Sequence, residues 1–257
     1  MLSRRSLPGR ARNEDGFMLI EILVGMLSAV VVTGALFVIL EVALHQTGRI
    51  TDVAQASQLG RTAMTNIVDK LHSVCLAPQF TPVEQGSTEK SLIFVGAYGK
   101  EAELASAHKE KVEWTGNSST PGNLIDYYYP SNGGAWPNFT FAVTASPAGG
   151  TKIAEKVSQT ESEAKAKVPI FQYYKYATKA SSAGENNPLG VLEKVVPPAE
   201  GLSAASAETI ASVQVSFRTA PPSGLETLSR SADLTNQVTF AFSAPDPEET
   251  IKDAPCQ

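Results

Sequence analysis

Gly16-Phe17-Met18-Leu19-Ile20-Glu21 opens an apolar run, FMLIEILVGMLSAVVVTGALFVIL over residues 17–40, with 24 residues and a single charged one. As a helix rising about 1.5 Å per residue it extends about 36 Å, enough to cross the hydrocarbon core of a bilayer. A secretory signal has a shorter apolar region followed by small residues, whereas here the small residue, Gly16, stands ahead of the run, so a cut there falls on the cytoplasmic side. Arg4, Arg5, Arg10 and Arg12 precede the run and no comparable basic cluster follows it. That asymmetry predicts a single pass with the N-terminus in the cytoplasm and the rest of the chain outside it. The arginines are read as membrane topology, and nucleic acid is not indicated as a partner, since the whole chain carries a net charge of -5.

Glu21 is the unusual residue in the run. An ionised carboxylate in hydrocarbon costs about a few kcal/mol, so it needs either water and headgroups at the interface or a cation. Cleavage between Gly16 and Phe17 would create that cation, because the new α-amino group of Phe17 is positive at neutral pH. The amine and the carboxylate stand four residues apart, on one face of a helix. Glu21 can then be neutralised by its own chain's amine or by that of a neighbour, and pairing between neighbours would set the axial register of packed helices.

These residues, after a short basic leader, resemble the prepilin cleavage and methylation motif of type IV pilins and type II secretion pseudopilins: a glycine before the cut, a phenylalanine after it, a glutamate four residues on, and an apolar helix continuing past both. The resemblance implies that Gly16 precedes the scissile bond, that Phe17 becomes the N-methylated terminus, and that Glu21 is the assembly carboxylate. It also implies a membrane prepilin peptidase as the processing enzyme and other pilins or pseudopilins as partners through the helix. Methylation keeps the amine basic, so the charge pairing survives it.

Beyond Leu40, Val53, Gly60, Met64, Ile67, Leu71 and Val74 recur at steps of three, four and seven, the stripe of an amphipathic helix with one buried face. Gly48 and Gly60 weaken that helix locally, by up to about 1 kcal/mol each, and are candidate bends. Pro78 ends it. Short β-prone runs come next, at 91–98, 111–115, 124–129, 139–143, 169–176, 211–219 and 237–243, punctuated by glycine, proline and asparagine. The segment 151–167, rich in Lys, Glu and Ala, reads as a solvated loop or short surface helix. The tyrosine-rich stretches 127–129 and 171–176 are read as strand packing before any binding surface.

The expected fold is α+β: a leader over 1–16, a membrane and assembly half-helix over 17–40, an amphipathic half over 41–77, and a β-rich head over 78–257 packed on that half. This order resembles the type IV pilin-like fold, in particular minor pilins of the W type and pseudopilins of the J type. The resemblance implies a subunit of a type IV pilus or type II secretion pseudopilus, held in the cell membrane with its head outside the cytoplasm.

Few residues suggest chemistry. The three histidines, His45, His72 and His108, show no metal-ligand spacing, and no nucleophile elbow, phosphate loop or CxxC is present, so no catalytic residue, cofactor or metal is assigned. Cys75 and Cys256 can form one bridge, which an oxidising compartment would favour and which would contribute about 5 kcal/mol in a chain-entropy account; two free thiols are the alternative. The competing function is a monomeric, single-pass anchored protein with a ligand-binding or enzymatic head, which needs only the apolar run and leaves Glu21 unexplained.

Overall fold

A computed structural model describes residues 19–74, 81–96, 108–132, 140–141, 150–176, 191–221 and 230–240. It falls into two units, Met1–Gly48 and Arg49–Gln257. Helix α1, Leu19–His72, contributes to both and is α-helical through Gly48 and Gly60 without interruption.

In the second unit, strands β1 (Ser91–Gly96), β2 (His108–Trp114), β3 (Gly122–Pro130) and β4 (Thr151–Ser158) form an antiparallel meander. Strands β5 (Phe171–Tyr176), β6 (Leu192–Val195), β7 (Ile210–Thr219) and β8 (Ala232–Thr239) complete one eight-stranded sheet, with a single helical turn, α2 (Ala204–Ala207), before β7. All pairings are antiparallel, in the order β1-β2-β3-β4-β7-β5-β6, and β8 lies along the free edge of β7. β7 is therefore the hub. One of its edges takes β8 over residues 212–219, and the other is shared by β5 over 210–215 and by β4 at 218–219.

The sheet curls. β1 and β5 stand far apart in strand order, yet the Phe171 amide donates to the Glu89 carbonyl at 3.1 Å. The buried Tyr173 hydroxyl lies 2.9 Å from the Thr88 carbonyl and 3.0 Å from that of Ser91. Curling brings apolar side chains of most strands around one core: Leu92, Phe94, Val112, Trp114, Leu124, Val157, Phe171, Val213, Val215 and Phe217 are buried there with Ala63, Met64, Ile67 and Leu71 of α1. The Trp114 indole N–H reaches over β3 to donate to the Val157 carbonyl at 2.9 Å, so even this large side chain is buried with its polar atom satisfied.

The stripe on α1 is wider than the large residues suggest. Gly60, Met64, Ile67, Leu71 and Val74 are buried and Val53 partly so, but Ala56 and Ala63 are buried as well. Small residues bring the helix close to the sheet. A Cβ on Gly60 would collide with Leu234 Cδ1 and stand 2.8 Å from Thr219 Oγ1, and the same Thr219 hydroxyl donates to the Ala56 carbonyl at 2.8 Å. Gly60 is thus a contact point with β7 and β8.

Three expectations need correction. The segment 151–167 contains a strand, β4, because its lysines and glutamate project outward while its backbone pairs with β3; exposed strand faces carry no apolar alternation to read. The last strand is Ala232–Thr239, not 237–243: its polar first half is held by backbone pairing to β7 and by the Arg218–Asp233 ion pair, and residues 241–243 lie outside the described residues. β2 begins at His108, before the expected 111, because polar His108 and Glu110 are buried strand residues. Of 139–143 only Thr140 and Phe141 are described, Phe141 bridging Ser131. β6 is a strand that the sequence pattern does not announce.

Candidate functional site

In the first unit the described chain is helix, and its large apolar residues from Leu19 to Leu44 are all exposed, Leu19 by 81% and Ile22, the least, by 47%. The helix is long and apolar enough to cross a membrane. Within residues 19–40 only Glu21, Ser28 and Thr33 carry polar side chains. The two hydroxyls turn back on the helix, Ser28 donating to the Gly25 carbonyl at 2.9 Å and Thr33 to that of Ala29 at 2.7 Å. Back-bonding of this kind removes most of the penalty for a hydroxyl in an apolar medium. Glu21 has no such relief, for no hydrogen bond or ion pair joins it to another described residue. Its carboxylate is the one strongly polar group on this surface without a partner among the described residues. Gly16, Phe17, Cys75 and Cys256 lie outside the described residues.

The second unit holds the opposite case, a carboxylate enclosed by the fold. Glu110 on β2 is fully buried, and its Oε2 accepts from Lys70 Nζ of α1 at 2.9 Å. The same ammonium donates to Asp126 Oδ2 on β3. The second oxygen of Glu110, Oε1, lies 3.2 Å from His108 Nε2, and the buried His108 ring stacks on Tyr128 with centroids 4.7 Å apart. Strand register explains the grouping: His108 and Glu110 share one face of β2, while Asp126 and Tyr128 share a face of neighbouring β3. Lys70 comes from the last turn of α1, where the helix lies against that face.

The chain matches no protein family, no curated protein and no solved structure.

One ammonium shared by two carboxylates has different effects on the partners. Burial disfavours the Lys70 charge, but its two carboxylate partners outweigh that and hold its pKa above the ordinary range. Glu110 receives only part of the Lys70 charge, and burial, aided by the nearby Asp126, pushes its carboxyl up to about 7. The cluster adjoins an open pocket of about 370 Å³ whose lining includes Asn66, Lys70, Asp126 and Thr151.

A second polar clip joins α1 to the sheet, Arg230 Nη1 to Asp52 Oδ2 at 2.6 Å. Among the described residues no group of His, Cys, Asp and Glu is placed to hold a metal ion. Of the residues singled out from sequence, then, the structure places Glu21 on an exposed apolar helix and His108 in a buried ionic group. Sequence reasoning missed Lys70, Glu110 and Asp126, which stand 40 and 56 residues apart along the chain and follow no spacing motif.

Proposed function

We propose that the chain is a minor pilin or pseudopilin subunit, cut between Gly16 and Phe17, N-methylated at Phe17, and assembled into a type IV pilus or type II secretion-like pseudopilus through the apolar half of α1. The observation that carries this reading is Glu21: an ionisable group on an otherwise self-satisfied apolar helix surface, joined to no other described residue. A carboxylate in such a medium needs a cation, and a processed Phe17 amine on a neighbouring subunit supplies one at the right helical spacing. The α+β build, a long helix covered along one stretch by a curled antiparallel sheet, supports a pilin-like fold with its head outside the cytoplasm. In this role the chain is a substrate of prepilin peptidase and a structural subunit, with no catalysis of its own.

A plain single-pass anchor would also use the apolar helix, but it leaves Glu21 without a partner. Intact mass and N-terminal sequence of the protein from its native membrane separate the two. A chain beginning at N-methylated Phe17 is the expected result. A Met1 start in cells with active prepilin peptidase would overturn the assembly reading.

A further inference from the structure

The group formed by Lys70, Glu110, Asp126 and His108 has no part in assembly through residues 17–40, and its behaviour is independent of the pilin reading. Its charges do not balance. With Lys70 protonated, both carboxylates ionised and His108 neutral, one negative charge is left over, while Glu110 and His108 side chains are 0% and 1% exposed. Asp126 Oδ1 is likewise buried without a hydrogen-bond partner among the described residues. A buried excess charge is costly, by about several kcal/mol for an ion without compensation, so the favoured state takes up one proton.

Geometry says where that proton resides. Lys70 occupies Glu110 Oε2 and Asp126 Oδ2, which leaves Glu110 Oε1 facing His108 Nε2 at 3.2 Å. A proton on either atom of that contact neutralises the group. Nothing else charged competes for it among the described neighbours. Lys109 and Lys111 lie on the other face of β2, where they pair with Glu84 and Glu113. Lys152 of β4, on the rim of the adjoining pocket, pairs with Glu155. Tyr128 of β3 stacks on His108, and Phe94 of β1, opposite Glu110 in register, is apolar and buried. The open pocket beside Lys70 and Asp126 gives solvent, and hence protons, a route to the group.

We propose that this cluster is a proton-operated latch: carrying one proton it fastens the last turns of α1, through Lys70, to strands β2 and β3, and on losing that proton above neutral pH it releases its hold. The raised pKa of Glu110, about 7 against an ordinary 4.5, agrees with this. A carboxyl whose folded pKa is raised contributes stability that is fully present below its unfolded value, declines as pH climbs from about 4.5, and is gone above about 7. Between pH 5 and pH 8 the folding equilibrium should therefore favour the folded state by roughly fifty-fold more at the acid end on account of this group.

The test uses the full chain in detergent micelles. Equilibrium unfolding is followed from pH 5 to pH 8 for the parent and for Glu110→Gln, with amide hydrogen exchange of residues 67–73 at both ends of the range. The parent should lose stability across the interval and exchange faster at pH 8 after correction for intrinsic rates. Glu110→Gln should lose most of that dependence in both measurements. Equal pH dependence in parent and variant would overturn the latch. Should the variant not fold, the side-chain carboxyl carbon resonance of Glu110 in the parent decides: a midpoint near 7 sustains the proposal, and one in the ordinary carboxylate range ends it.

Discussion

Glu21 and Glu110 are two carboxylates in apolar surroundings, one on each unit of the chain, and they are handled in opposite ways. Glu110 has a cation, a histidine and a second carboxylate brought to it by α1, β2 and β3. Glu21 sits on a helix whose hydroxyls are satisfied internally and whose apolar side chains are exposed, and no described residue answers its charge. A charge answered inside the fold contributes to the stability of that fold. A charge left unanswered on an apolar surface instead directs the chain toward something outside it, here a membrane and neighbouring helices.

If that contrast is right, removing the answering cation should produce the largest loss. Lys70→Met strands two carboxylates and should lower the stability of the full chain in micelles by about 3 kcal/mol at pH 8, with a smaller loss at pH 5, where Glu110 takes up a proton in place of the lost charge. Chemical denaturation at the two pH values measures both figures, and a loss that grows on acidification would contradict the account. Next in size is Gly60→Val. Its branched side chain must push aside Leu234 and the Thr219 hydroxyl that donates to Ala56, at a cost of about 1–3 kcal/mol, read as a lowered melting temperature. Arg230→Ala removes a partly exposed clip to Asp52 and should cost about 1 kcal/mol or less. Last, Glu21→Ala should leave the unfolding of the second unit unchanged to within about 0.5 kcal/mol while reducing incorporation into filaments. A variant that lost stability but still assembled would reverse the assignment of the two carboxylates.

The parts of this molecule legible in the sequence are those in which burial writes a periodic apolar pattern. The long helix follows from a single apolar run and a three-four-seven stripe, and β1, β3, β5 and β7 from dense β-branched and aromatic segments. β4 escapes because most of its side chains face solvent, so Lys152, Glu155 and Lys156 read as a loop although the backbone is fully a strand. Lys156 even holds a positive φ of 52°, a backbone state that a lysine does not advertise. Ala56 and Ala63 escape for another reason: small size makes them useful at a close helix–sheet approach but silent in a hydrophobicity pattern. Glu21 is legible because a lone charge in an apolar run demands explanation. The ionic cluster is not, since the strand register that gathers it appears only once β2 and β3 are paired.

The hub position of β7 has a consequence for how a newly made chain closes. The contact between Thr219 and Ala56 spans 163 residues, and β4, β5 and β8 all need β7 as their edge. At a synthesis rate of about 5–20 residues per second, α1 waits roughly ten to thirty seconds after leaving the ribosome before its seat on β7 exists. During that interval the β1–β4 meander can zip up by local hairpins, but its last strand ends on a blank edge. Quality control of this protein is thus most exposed to delay in one late step, the arrival of residues 210–240, and a slow codon cluster or a holdase acting there would govern yield more than one acting on the helix.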